Sequence, residues 1–499
     1  MMTRPKITML SEKEVRMIHE ASVEILAKTG ALYDNKTALD ILAAHGEKVD
    51  RGTGVAWIRP ETIEKCIKSA PRKFVLASRD GKNDAVLDGE QMHHMTDGQA
   101  SFTLDEKTGE RRTSTLHDLL LSTLLADALD PIKVMWSTVF PTDASTDYRA
   151  LFETAGSFMW SAKHFQMVGG VQDPDDVPYL LAMIDAVYGD RRKQRDRPIF
   201  SMVTCPVSPL KHDDAMTEAC IALAKEWVPI VFWPMPLQGA TAPCTVAGTL
   251  LQTNVEFLSG LVLYQIVQPG LPMIYPAGPE TLDMKTSLAS TASPEGMLLN
   301  LPFAQMTEFY GVPYMAGGIC SDAKIPGIQA GYENMGTGMT AALSGCDLLV
   351  GIGILEDGNT LSFPQMVIDE EICNILSYVR NGMEVTRETL MVDSIHRVAH
   401  SPNHHLGEPE TMDYIRTKKA YWPRISFRGT YGDWKRRGKD EVQLARDRMK
   451  ELLDKHEPAV LPAEVQKELR RLLVKRTGFA DNDPRIEGVF RHPWKDYPH

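Results

Sequence analysis

Residues 313–334, PYMAGGICSDAKIPGIQAGYEN, carry the reading that decides the fold. They read as a short buried strand, a glycine pair at Gly317 and Gly318, a small polar loop through Cys320, Ser321, Asp322 and Lys324, and the start of a helix. Glycine lets a backbone turn sharply and approach a ligand closely, and function concentrates in loops held by a rigid scaffold. The same unit recurs on both sides. β-prone runs at 92–95, 132–139, 164–168, 199–204, 230–233, 273–275, 314–316 and 348–352 each precede a helical pattern, at 116–128, 148–160, 177–187, 214–227, 246–267, 295–310, 329–344 and 364–380. Eight strand–helix units over about 290 residues predict an α/β fold, a (β/α)8 TIM barrel. The rival is a doubly wound open sheet, which rarely needs eight units and carries a glycine fingerprint after its first strand. Neither GxGxxG nor a Walker motif is present.

The barrel is expected over residues 90–381. Residues 1–89 read as an N-terminal helical and extended segment. A helix over 11–29 opens on a capping box of Ser11 and Glu14 and stops near Gly30. A second fits 36–45, a third follows Pro60, and 74–88 reads as extended. After residue 381 the rhythm stops, and 382–499 reads as a C-terminal helical lobe with charged helical patterns at 440–456 and 462–475.

The composition, 43% hydrophobic and 24% charged, is that of a globular protein. A net charge of −12 argues against nucleic-acid and anionic-membrane partners. No apolar run is expected to reach the roughly 18 residues of a membrane span. The N-terminal MMTRPKITMLSEKEVRMIHE lacks an apolar signal core, and seven scattered cysteines fit a reducing compartment, so a cytoplasmic location is expected.

TIM-barrel active sites form at the C-terminal ends of the strands. Here those ends supply aromatics, small residues, hydroxyls and a few carboxylates, which suits an apolar or cationic ligand better than a phosphate. Trp136, Phe140, Trp233 and Tyr275 are candidates for a cage around a quaternary ammonium; the alternative is that they fill barrel layers. Asp97, Asp322 and Glu356 are the candidate catalytic carboxylates, able to orient a ligand or move a proton. Asp322 can instead cap the next helix or pair with Lys324. Asp357-Gly358-Asn359 also reads as a turn. Gly98, Gly317, Gly318, Gly353 and Cys320 are the candidate rim for a cofactor. His93 and His94 are adjacent on a strand and face opposite sides, which argues against a metal pair. With no CxxC, HxC or HExxH in the chain, no metal site is expected.

Four stretches resemble the trimethylamine methyltransferase superfamily: MTDGQASFTLDEKTGERRTSTLHDLLLSTLLADAL, AGGICSDAKIPGIQAGYENM, SGCDLLVGIGILEDGNTLSFPQMVIDEEI and the N-terminal LSEKEVRMIHEASVEILAKTGA. The resemblance covers most of the chain. It implies a barrel that moves a methyl group from a methylated amine to the Co(I) of a separate corrinoid protein. Archaeal trimethylamine enzymes of this family carry pyrrolysine in a loop that aligns with Gly318, Ile319, Cys320 and Ser321, where this chain has standard residues only. The resemblance is therefore to the non-pyrrolysine branch, and it implies a quaternary amine donor. Glycine betaine is the favoured substrate, carnitine or proline betaine the same-class alternative, and a non-catalytic betaine-binding barrel the alternative of another class. His164, Gln166 and Lys324 are the candidates to hold the substrate carboxylate. The chain lacks the DxHxxG cobalamin signature, so the corrinoid is expected on a partner or supplied free. A homo-oligomer is the expected assembly.

Overall fold

The computed structural model describes residues 2–144, 146–278, 280–417 and 419–496. Eight parallel strands close into a barrel in chain order: β1 (His93–Thr96), β2 (Ile132–Met135), β3 (His164–Met167), β4 (Phe200–Thr204), β5 (Ile230–Phe232), β6 (Met273–Ala277), β7 (Tyr314–Gly317) and β8 (Leu348–Ile352). The barrel closes where β8 returns to β1, with Leu348 beside His93 and Leu349 beside His94. The shell is formed by α1 (Leu116–Ala128), α2 (Arg149–Trp160), α3 (Val177–Tyr188), α4 (Asp214–Lys225), α5 (Val246–Val267), α6 (Pro294–Tyr310), α7 (Ile328–Ser344) and α8 (Phe363–Asn381). All eight expected strands and all eight expected helices are present, with ends shifted by a few residues.

Most of the strands are apolar on both faces, as suits parallel strands covered by helices, while His93, His94, His164, Gln166 and Ser201 are buried polar exceptions. Their period of two then sorts the side chains. Met95, Val134, Val203, Val231, Ile274, Met315, Leu348 and Val350 fill the barrel interior. Phe165, Phe200, Phe232 and Tyr275 point outward into the helix layer. Side-chain caps start several helices: Thr115 and Asp118 form a capping box at α1, Ser293 caps α6, and Ser362 caps α8.

The N-terminal helices Glu12–Lys28, Lys36–Ala44 and Pro60–Ser69 occur as read, and the Ser11–Glu14 capping box is formed. The strands between them were not foreseen. Ala31–Tyr33, Val55–Trp57 and Lys48–Asp50 join Lys211–His212, from the loop after β4, in a four-stranded sheet. The three helices lie on α5. That helix corrects one expectation: by length and composition it is apolar enough to cross a membrane, but 72% of its apolar window is buried inside the protein. In the C-terminal part, Glu441–Lys455 packs on α8, Ala463–Thr477 on α3 and Pro484–Phe490 on α2. Leu453, Leu469, Leu473, Ile486 and Val489 join the main hydrophobic core.

Two small sheets sit over the C-terminal mouth. One pairs Ile354–Leu355 and Thr360–Leu361 with Phe102–Leu104 and Arg111–Thr113. The other joins Leu237–Gln238, Glu280–Leu282 and Ala289–Ser290.

Candidate active site

A cavity of about 370 Å³ opens at the C-terminal ends of the strands. One wall is aromatic. Trp136 follows β2 and Trp233 follows β5, and their rings meet edge to face with centroids 5.1 Å apart. Trp136 Nε1 donates to Gln166 Oε1 at 2.7 Å, and Gln166 Nε2 donates to Ser201 Oγ at 3.0 Å, so the Trp136 ring is held from behind. Trp233 is only 5% exposed and its Nε1 has no partner. Gly278 packs on the same indole; a Cβ there would lie 2.6 Å from Nε1, so the wall admits only glycine at this point.

The lining is also acidic, with Asp97, Glu280 and Asp357 among its residues. Asp97 accepts a hydrogen bond from Gly98 N–H at 2.8 Å, yet burial lifts it to about 6, and Asp357 adds repulsion. Burial lifts Glu280 to about 7, reinforced by Asp357, Asp322 and Asp97. Among the described residues no Lys, Arg or His lines the cavity. Carboxylates brought together and partly desolvated favour a bound cation, which would compensate them. Because the charged form of both groups is disfavoured in the free protein, the sign of the pH effect follows. The affinity of a permanently charged ligand is expected to rise as pH increases through about 6 to 7 and to level off above that range. Titration calorimetry across that range checks this, and a flat or falling affinity would remove the two carboxylates from the binding wall.

The loop that carries Cys320 is strained. Ile319 is fully buried at φ +55°, a region a β-branched residue rarely adopts. Gln99 (φ +68°), Glu356 (φ +57°) and Asp357 (φ +53°) share this conformation at the ends of β1 and β8. Such strain persists only where surroundings enforce it, and it gathers at functional sites. The enforcing groups are carboxylates on the shell helices. Glu333 of α7 accepts from Ser321 Oγ (2.8 Å), Asp322 N–H (2.9 Å) and Gln329 Nε2 (2.9 Å). Asp369 of α8 accepts from Gly353 N–H and from Asn334 and Gln365. Glu153 of α2 accepts from Ser137 Oγ at 2.9 Å. Glu333→Ala is expected to keep the fold and lower kcat/KM by about 10-fold or more, since about 1.5–3 kcal/mol accompanies a hydrogen bond to a charged group. Steady-state kinetics with a thermal melt measures both, and unaltered kinetics would mean that the loop holds itself.

Of the residues expected at the site, Asp97, Gly98, Trp136, Trp233, Gly317 and Cys320 line the cavity. Others lie elsewhere. Tyr275 is on the opposite face of β6, its ring 3.9 Å from that of Phe257 and its hydroxyl donating to Asn254, so it cannot complete a cage. The Phe140 ring is already covered by the Arg149 guanidinium at 4.0 Å. His164 contacts Ser201 Oγ through Nε2 and the Pro198 carbonyl through Nδ1, and burial pushes it down to about 4, so it is neutral. Gln166 lies behind Trp136. Lys324 is exposed and donates to the Asp322 carbonyl. The three groups expected to hold a substrate carboxylate thus all sit outside the cavity lining. Asp322 accepts from the Ser290 hydroxyl and Asp357 accepts from Thr291 N–H, so both tie the 280–290 hairpin over the mouth. Glu356 receives Arg111 and Thr360. Gly318 packs under α7 and Gly353 under Met366 of α8.

Sequence reasoning missed Glu280 and Asn300, which both line the cavity. Glu280 lies just past the end of β6, in the small sheet over the mouth.

Comparison with known proteins agrees with this architecture. The family model "Trimethylamine methyltransferase (MTTB)" matches residues 1–479. A trimethylamine methyltransferase of Desulfitobacterium hafniense is 33% identical over 464 residues, covering 93% of this chain and 92% of the relative. One from Methanosarcina barkeri is 31% identical, covering 94% and 95%. A glycine betaine methyltransferase of Desulfitobacterium hafniense is 30% identical, covering 95% and 98%. Among solved structures, the monomethylamine methyltransferase of Methanosarcina barkeri superposes with a TM-score of 0.50 at 12% identity, covering 91% of this chain and 89% of that one, a likeness of fold.

Proposed function

This chain belongs to the trimethylamine methyltransferase family, and from that premise we propose that it moves a methyl group from a methylated ammonium cation to the Co(I) of a corrinoid carried by a separate protein. One observation carries the reading: two tryptophans and three carboxylates line one cavity that has no cationic side chain among the described residues. Such a cavity attracts a cation and holds an apolar N-methyl shell at the same time.

The chain's own nucleophiles support an external acceptor. Cys205 and Cys320 line the cavity, but desolvation, with repulsion from Asp97, Asp357, Asp322 and Glu280, pushes the Cys320 thiol well above its ordinary value. Cys320 therefore remains protonated and poorly nucleophilic at neutral pH. A Co(I) corrinoid would supply the missing nucleophile: its electron pair forms the bond to the methyl carbon, the C–N pair returns to nitrogen, and a neutral amine departs without proton transfer. Trp136 and Trp233 hold the cation so that one methyl group faces the mouth. Asp97, Glu280 and Asp357 stabilise its charge, and the Glu333-anchored loop fixes Cys320 and Ser321 in the wall. Reaction then needs orientation more than acid–base work. A relative named glycine betaine methyltransferase supports a quaternary head group in particular.

The rim supports delivery by a protein. Met284 (70% exposed), Leu288 (64%), Ile325 (63%), Ile328 (90%) and Tyr332 (60%) crowd the 280–290 hairpin and the start of α7. Exposed apolar clusters of this kind mark interaction surfaces. Leu288→Asp combined with Ile328→Asp is expected to raise the KM for the corrinoid protein by about 10-fold, because truncated interface anchors cost upwards of ~1 kcal/mol. Amine binding, followed by calorimetry, should stay unchanged, and an unchanged KM would place the docking surface elsewhere.

The test of the main reading is incubation of the purified chain with a Co(I) corrinoid, free and protein-bound, and a panel of methylated amines, following the corrin absorbance. Failure to methylate cobalt with every amine in both forms would overturn it and leave a binding protein.

A further inference from the structure

Resting on the methyltransferase reading above, we infer that the donor is a quaternary ammonium without an acid group, of the size and polarity of choline, and that betaines are excluded by charge. The opposite expectation, a betaine, needs a cation to neutralise the substrate carboxylate, and the cavity offers none among its described residues. The three side chains that the sequence suggested for that task lie outside its lining: Lys324 at the surface, His164 and Gln166 locked into buried hydrogen bonds. What faces the ligand is the reverse of a carboxylate site, with Asp97, Glu280 and Asp357 in the wall and Asp322 close by.

A second observation, independent of the acidic wall, points to the ligand's distal atom. Trp233 Nε1 is a buried donor without a partner in a side chain that lines the cavity. Buried donors are normally satisfied, so an orphan donor in a lining side chain is a group that a ligand acceptor would satisfy. A neutral hydroxyl meets both needs. Its oxygen accepts from the indole N–H while its proton is donated to a carboxylate. A carboxylate can accept but cannot donate, and it would face like charges at close range. Several other polar side chains of the wall are engaged: Ser321 Oγ with Glu333, Asn300 Nδ2 with the Gly317 carbonyl, and Gln99 Nε2 with Glu153.

Choline and glycine betaine make the deciding pair, because they share the trimethylammonium head and differ at the far carbon. Calorimetry on the full chain is expected to show choline, with tetramethylammonium as a second probe, bound at least about 30-fold more tightly than glycine betaine, since juxtaposed like charges cost several kcal/mol. Raising the pH from about 6 to about 8 should tighten choline and weaken glycine betaine as Asp97 and Glu280 ionise. Glu280→Gln should narrow the ratio between the two ligands, and Asp97→Asn serves as the second variant if that protein fails to fold. Glycine betaine binding as tightly as choline, or being the better methyl donor to cobalt, overturns the inference and leaves the methyltransferase reading intact. Tight choline binding without methyl transfer to any Co(I) corrinoid upholds the ligand class and overturns the methyltransferase reading. Weak binding of both probes overturns the inference.

Discussion

Gly351→Ala is expected to lower stability by about 3 kcal/mol or more and to abolish methyl transfer. Gly351 lies in β8 at φ +138°, a conformation closed to residues with a Cβ. A Cβ there would stand 1.9 Å from the Gly318 carbonyl oxygen and 2.6 Å from that of Ile319. Both neighbours are backbone, so no side chain can swing aside. Relief requires β7 and β8 to part, and Gly318 N–H donates to the Val350 carbonyl across that seam. Ile319 is already strained, and the loop it starts places Cys320 and Ser321 in the cavity wall. The damage therefore falls on stability and on the site together. A thermal melt and a methyl-transfer assay measure it, with Gly331→Ala as control. Gly331 is in α7, and a Cβ there would meet nothing within 4 Å, so alanine should be neutral or stabilising by about 0.5–1 kcal/mol. A Gly351→Ala protein with native melting and turnover would mean that the β7–β8 seam is not the constraint on the loop.

The barrel was legible because its strands are short apolar runs separated by helical periodicity and by glycine, proline and cap residues. The same property hid the phase of each strand. In Met273–Ala277 every residue is buried, so nothing in the letters says that Ile274 faces the interior while Tyr275 faces the helices. Tyr275 and Trp233 look equivalent as aromatic residues before a proline, yet only Trp233 reaches the cavity. Phe140 was lost to a partner that no strand-end argument considers: Arg149 opens α2 and lies across its ring. Glu280 was missed because the mouth is roofed by a hairpin that follows the strand end.

The anchors of the loop were invisible for another reason. Glu153, Glu333 and Asp369 stand mid-helix, where an acidic residue normally reads as part of a solvated face. Their role depends on which helix face the barrel covers, a tertiary property. Ile319 was unreadable in principle, since a β-branched residue in a left-handed conformation opposes its own propensity. The candidate site is legible in Trp136, Trp233 and Asp97, and illegible wherever burial or strain overrides local preference.

Trp233→Ala should raise the Kd of a quaternary ammonium by about 10- to 30-fold, the effect of removing roughly 1.4–2 kcal/mol of desolvated cation–π contact. The ring is 5% exposed, braced edge to face by Trp136 and pressed by Gly278, so it is held in place before the ligand arrives. Trp136 should keep its place in the variant, because its own Nε1 hydrogen bond to Gln166 does not involve Trp233. The loss is therefore expected in one face of the pair rather than in a collapse of the wall. Phenylalanine at this position restores a π face without the orphan N–H, so Trp233→Phe should recover most of the affinity for tetramethylammonium and less of that for choline. The neutral isostere 3,3-dimethylbutan-1-ol separates charge from shape: it fills the same space without the cation. If the contact is electrostatic, Trp233→Ala weakens choline far more than the isostere. Equal weakening of both would reduce the indole to an apolar wall and move the source of cation recognition to Asp97, Glu280 and Asp357 alone.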